Sequence, residues 1–258
     1  MVSADVIVFD MDGVLADVTE SYRAAIQETV RFFTGVEVPP ERVQDYKNAG
    51  GWNIDLPATD FAISNQSFDV DEGFAAQGTV FLDNLEATLS GQIVLDLGVE
   101  VPYETVVEYF QSVFFNGRDD ALILREKWVP AAGLLERLSS RYGVSIFTGR
   151  PRPELEFTLQ RSAPGIPFDP IVTCDDVTEH KPHPEGLLAI AAKMPDRRLC
   201  YVGDTIDDAR CARLAGVPFI GIAAVKNTRL TELEHVLRKE GAAAILRDVN
   251  EIEKVLAQ

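Results

Sequence analysis

The chain has 258 residues, of which 46% are hydrophobic and 25% charged. That is the composition of a folded protein with one large or two small domains, and it argues against disorder. Its 24 Lys and Arg against 41 Asp and Glu leave a net charge of −17, a surface that repels nucleic acid and anionic membrane, so neither is expected as a partner. No stretch approaches the ~18–20 apolar residues of a membrane span. Met1–Asp5 lacks the basic region of a secretory leader, and the three cysteines, Cys174, Cys200 and Cys211, are odd in number and not at metal-ligand spacing. A reduced, cytoplasmic setting is expected. Monomer and homodimer both remain open.

In chain order, the first element is a short apolar strand, Val6 to Phe9, ending at Asp10 and Asp12. Residues 16–128 then read as helical. Val18, Tyr22, Ile26, Val30 and Phe33 recur at helical spacing up to Gly35. Pro39-Pro40-Glu41 opens a second helix that stops at Gly50-Gly51, and 71–90 and 102–115 repeat the pattern. No convincing strand run occurs in this segment. From 129 onward strands and helices alternate. Strands are expected over 144–147, 171–173, 199–202, 219–222 and 244–246. Helices are expected over 131–142, 153–161, 184–194, 206–215 and 228–240. Pro153 and Pro184 suit first-turn positions, and Gly216 suits a helix end. Short continuous apolar strands separated by helices imply an α/β fold with a doubly wound parallel sheet, covered on both faces. The division expected is 1–15 with 129–258 as the α/β core, and 16–128 as an inserted all-α domain.

Chemistry-bearing residues fall at strand ends, where open α/β sheets bind ligands. Asp10 and Asp12 follow the first strand and Thr148 the second. Lys181 lies beyond the third, and Asp204 and Asp208 follow the fourth. Carboxylates converging without His or Cys define a hard oxygen site that suits Mg²⁺. An Asp carboxylate can attack phosphorus, and a second carboxyl two residues on can serve the leaving group and then water. The Thr148 hydroxyl and nearby backbone N–H groups can hold phosphoryl oxygens, while Lys181 neutralises charge. Singly each feature has a plain alternative: Asp12-Gly13 is a common turn pair, and Asp204 could cap a helix.

Together the motifs resemble the haloacid dehalogenase superfamily, in particular its phosphoglycolate-phosphatase-like members with a helical cap. The resemblance rests on Asp10-Met11-Asp12-Gly13-Val14, Thr148-Gly149, Lys181-Pro182 with Pro184-Glu185, and Gly203-Asp204-Thr205-Ile206-Asp207-Asp208. It implies a Rossmann-like core with Asp10 as nucleophile and Mg²⁺ ligand. Asp12 would be the acid and base, ligating through its backbone carbonyl. Thr148 would bind phosphate, Lys181 would neutralise charge, Asp204 would complete the protein's metal ligands, and Asp208 would support the metal or Lys181. Gly149 and Arg150 become candidates for substrate contact, as do Gly51, Trp52 and Asn53 in the insert. The chain departs from the pattern at His180, at Arg150 and in the length of the insert. The function implied is Mg²⁺-dependent hydrolysis of a small phosphate ester through an aspartyl-phosphate. A sugar phosphomutase of the same superfamily is the alternative, and a non-catalytic phosphate- or partner-binding protein is a third. Asp12 favours phosphate-ester chemistry, since relatives that attack carbon lack an acid there. Nothing in the sequence names the metabolite.

Overall fold

The computed structural model describes residues 1–35, 37–40, 43, 93–94, 100–101 and 103–257. These divide into two compact units, Met1–Val18 with Lys127–Gln258, and Thr19–Glu126.

The first unit is an α/β, Rossmann-like layer built on a six-stranded sheet. In chain order its strands are β1 (Val6–Phe9), β6 (Gly143–Phe147), β7 (Phe168–Val172), β8 (Leu199–Gly203), β9 (Phe219–Ile222) and β10 (Ala244–Leu246). The numbers between belong to short strands: β2 (Ala16–Asp17) pairs antiparallel with β5 (Lys127–Trp128), while β3 (Ile93–Val94) and β4 (Glu100–Val101) belong to the second unit. The sheet order is β10-β9-β8-β1-β6-β7 and every pair is parallel. The chain runs outward from β1 on one side and returns to its other side at β8. The crevice beyond the carboxyl end of β1 is therefore the topological switch point where such sheets bind ligands. Register makes this concrete: Phe9 lies opposite Ile146 on β6 and Val202 on β8, so Asp10, Thr148 and Asp204 emerge from adjacent strands at one edge.

The central strands β1 and β8 carry no charged residue because both of their faces are covered. All four residues of β1 and all five of β8 are buried. Connecting helices are α3 (Leu134–Ser139), α4 (Arg152–Ser162), α5 (Glu185–Lys193), α6 (Ile206–Ala215) and α7 (Leu230–Lys239). Val6, Val8, Tyr201, Leu187, Ala212 and Leu237 are among the side chains that close one core layer. α6 spans the expected residues and ends on Gly216, whose φ of 68° is the left-handed cap that glycine favours. α3 starts three residues later than expected because Gly133 takes a φ of 81° immediately before it. β7 begins earlier than expected and includes Pro170, which is tolerated because β7 is the edge strand.

In the second unit α1 (Tyr22–Thr34) packs on α2 (Tyr103–Phe114). Tyr22 sits 5.1 Å from Phe110 and 4.5 Å from Phe114 between ring centroids, and Ile26, Val30 and Val106 are buried with them. Among the described residues this unit is not wholly helical. Two-residue strands are too short for an apolar-run criterion, though the β-branched Ile93, Val94 and Val101 carried a signal. The helix expected over 71–90 lies outside the described residues, as does most of the one opening at Pro39. No helix among the described residues is long and apolar enough to cross a membrane.

Gly186 on α5 exposes a packing limit. A Cβ there would stand 2.2 Å from the ring of buried Phe147. Helix propensity alone favours Ala over Gly by about 1 kcal/mol, but overpacking a filled core costs about 1–3 kcal/mol. Gly186→Ala should therefore lower the melting temperature in a thermal unfolding experiment; a rise would mean that α5 does not press on Phe147 as described.

Candidate active site

Asp10 is the first residue past β1, and its N–H donates to Val202 O at 2.8 Å, so the neighbouring strand fixes its backbone. The chain then doubles back. Gly13 N–H donates to Ala16 O at 2.8 Å, and Leu15 and Ala16 N–H both donate to Met11 O at 2.9 Å. Gly13 adopts a φ of 80°, and a Cβ on it would stand 2.0 Å from Asp204 Oδ2. Glycine at this position thus does two things: it permits the left-handed turn, and it admits the Asp204 carboxylate against the loop.

Lys181 enters from the loop after β7. Its buried Nζ donates to Asp10 Oδ1 at 2.9 Å and to Asp208 Oδ1 at 2.8 Å. It also lies 4.8 Å from the centroid of the Phe147 ring and 5.3 Å from that of Tyr201, which stabilise the cation further. Asp208 occupies the third position of α6 and forms a capping box with Thr205: Oδ2 accepts from Thr205 N–H at 3.0 Å and from Thr205 Oγ1 at 2.7 Å. Oδ1 also accepts from the Tyr201 hydroxyl at 2.7 Å. Asp208 is thereby committed to anchoring Lys181.

The electrostatics follow from burial. Desolvation pushes the Asp10 carboxyl up to about 7, against the pull of Lys181. Burial works the same way on Asp208, but Lys181, Thr205 and Tyr201 together outweigh it and hold that carboxyl below its usual range. Burial alone would lower the Lys181 pKa, yet Asp10 and Asp208 raise it. The ammonium therefore persists at any physiological pH.

Carboxylate oxygens of Asp10, Asp204 and Asp208 lie within 4.8 Å of one another. Lys181 offsets one of these three negative charges. The donor set is all oxygen, and Asp208 is occupied with Lys181, Tyr201 and Thr205. Asp10 and Asp204 thus suit a divalent hard cation.

Thr148 directly follows β6 and is buried, with its N–H donating to Val172 O at 3.1 Å and its Oγ1 accepting from Arg150 N–H at 3.2 Å. Gly149 lies between, half-buried. The side chain of Arg150 is not where a substrate contact is expected. It is 0% exposed, and its guanidinium is turned onto Asp12. Nε donates to Asp12 Oδ1 at 2.7 Å, a second N–H reaches the same oxygen, and Nη1 donates to Thr158 Oγ1 at 3.1 Å. Gly51, Trp52 and Asn53 lie outside the described residues. Asp207 is buried and lies 3.8 Å from Arg210. Tyr201 and Phe147 are not among the residues that the sequence motifs single out. Tyr201 offered a signal, since a hydroxyl in a fully buried strand needs a partner.

Comparison with known proteins is consistent with this geometry. The haloacid dehalogenase-like hydrolase family profile matches residues 4–216. A protein of Phytophthora nicotianae named imidazoleglycerol-phosphate dehydratase is 29% identical over 253 residues, 93% of this chain and 49% of that one. The phosphoglycolate phosphatase of Salmonella typhimurium is 33% identical over 130 residues, 48% of this chain and 50% of that protein. The chain thus spans about half the length of these relatives. The crystal structure of a hydrolase from Pseudomonas syringae superposes with a TM-score of 0.62 at 20% identity, covering 98% of this chain and 100% of that one. With the profile match extending over both halves of the sheet unit and the strand-end carboxylates in place, the chain belongs to the haloacid dehalogenase-like hydrolases.

Proposed function

We propose that this protein is a Mg²⁺-dependent phosphatase that hydrolyses a small phosphorylated metabolite through an aspartyl-phosphate on Asp10. The observation that carries the reading is the Asp10 carboxylate itself. It lies at the switch point of the sheet, oriented by the Lys181 ammonium, with Asp204 beside it and Asp12 two residues on. An Asp10 oxygen attacks phosphorus while the bond to the ester oxygen breaks. Asp12 gives that oxygen its proton, then takes one from the water that cleaves the aspartyl-phosphate, releasing inorganic phosphate and restoring Asp10. Thr148 and the Gly149 backbone hold phosphoryl oxygens, and Lys181 offsets charge on the nucleophile and the transferring group. Asp10, Asp204 and the Asp12 carbonyl would hold the Mg²⁺, which would neutralise phosphoryl charge. Two kinds of relative support a phosphate ester as substrate: one named for phosphoglycolate, and one named for an imidazole-bearing phosphate. The group around Asp10 addresses only the phosphoryl moiety that all such esters share, so discrimination among them is assigned to residues 16–128, with 1–15 and 129–258 as the catalytic core. A panel of phosphoglycolate, sugar phosphates, nucleotides and histidinol phosphate, assayed with Mg²⁺, tests the reading. Release of inorganic phosphate supports it, and conversion of a sugar phosphate to its isomer would make the protein a mutase.

Three outcomes are expected. Asp10→Asn keeps the side chain's size but removes the nucleophile, so phosphate release should fall at least a thousandfold, about 4 kcal/mol in barrier, while circular dichroism is unchanged. Activity within tenfold of wild type would refute the mechanism. Metal removal by chelation should abolish turnover, and Mg²⁺ affinity should depend on pH in one direction. Burial raises the Asp10 carboxyl to about 7. Below that value a proton occupies the group and the cation must displace it, so affinity falls by up to tenfold per pH unit; above it the dependence levels off. Titration calorimetry between pH 5.5 and 8 reads this directly, and an affinity constant from pH 5.5 to 7 would contradict it.

A further inference from the structure

Arg150 has the largest fully buried side chain among the described residues. Burying a guanidinium in an apolar interior is unfavourable unless every donor is placed, and an apolar side chain of similar volume would fill the space as well. Its placement therefore calls for a reason. Two N–H groups converge on one oxygen of Asp12, across 138 residues of sequence, and a third reaches buried Thr158 on α4. The backbone that carries the guanidinium is itself fixed. Arg150 N–H donates to Thr148 Oγ1 at 3.2 Å, and Arg150 O accepts from Cys174 N–H at 3.3 Å.

Asp12 presents the complementary problem. The tight Met11–Ala16 turn fixes its backbone and the Arg150 guanidinium holds its Oδ1, and a carboxyl that transfers protons must be held within a fraction of an ångström of its working position. The planar fork of arginine suits this task better than a point charge. With its side chain 0% exposed, Arg150 acts on the ester only through Asp12.

We infer that Arg150 is a positioning residue for proton transfer, braced by Thr158, that orients the Asp12 carboxyl toward the oxygen of the departing alcohol. The inference rests on the reading of Asp12 as acid and base, and it adds a link between the loops after β1 and β6 that makes Asp12 and Thr148 one rigid assembly.

The test is a leaving-group series of p-nitrophenyl, phenyl and ethyl phosphate, with kcat/KM measured for wild type, Arg150→Met, Arg150→Lys, Asp12→Ala and the Arg150→Met/Asp12→Ala double variant. A good leaving group needs little protonation and a poor one needs much. Arg150→Met should lose at least tenfold more on ethyl than on p-nitrophenyl phosphate. In the Asp12→Ala background the same change should cost less than twofold on phenyl phosphate, because its effect runs through the residue already removed. Equal loss on all three esters, or a full additional loss in the double variant, would overturn the inference and leave Arg150 a packing residue. Should Arg150→Met fail to fold, Arg150→Lys keeps the charge without the fork and faces the same two outcomes. Wild-type protein that hydrolyses neither these esters nor any metabolite of the panel above would remove the phosphatase reading, and this inference with it.

Discussion

The Lys181 ammonium lies between Asp10 and Asp208 in the interior of the sheet's carboxyl edge, and much of the site is arranged around that one cation. Breaking a buried ion pair from one side costs about 3–5 kcal/mol, because the partner is left charged and dry. The surrounding residues reduce that exposure to risk. Phe147 and Tyr201 give the ammonium aromatic faces, while Tyr201 and Thr205 hydrogen-bond the far carboxylate. Asp208 is thus anchored from three directions and Asp10 chiefly through Lys181. Asp10 is consequently the more adjustable carboxylate, which suits the role proposed for it, binding a cation and attacking phosphorus.

The same arrangement explains the glycines of the motifs. Gly13 admits Asp204, and Gly203 admits Asp208, whose Cβ would stand 2.5 Å from any Cβ at 203. Each glycine brings a carboxylate close to the backbone beside Asp10. The metal reading depends on that crowding, since three carboxylates so near one another need positive charge beyond what Lys181 supplies.

Much of the sheet unit could be read from the sequence because its elements are locally determined. Five apolar runs with helical patterns between them leave few topologies, and strand ends locate Asp10, Thr148 and Asp204 before any contact is known. α6 matched residue for residue, since Thr205 and Gly216 mark its ends chemically. What escaped was set by long-range geometry. Arg150 follows Thr148-Gly149 like any solvated helix-start charge, and only the fold brings Asp12 to it. Tyr201 reads as one more apolar strand residue until Asp208 is placed beside it. The short strands β3 and β4 escaped because two residues show no period, and Gly51, Trp52 and Asn53 fall outside the described residues.

On the proposed mechanism Asp10 becomes covalently phosphorylated. The most direct measurement is acid quench of a single turnover with a metabolite the enzyme hydrolyses, followed by peptide mass spectrometry across the first milliseconds to seconds. The peptide carrying Asp10 should transiently gain one phosphoryl group, and the adduct should accumulate when Asp12 is replaced and a good leaving group is used. Complete hydrolysis with no phosphoryl group on Asp10 at any quench time, or its appearance on another residue, would contradict it.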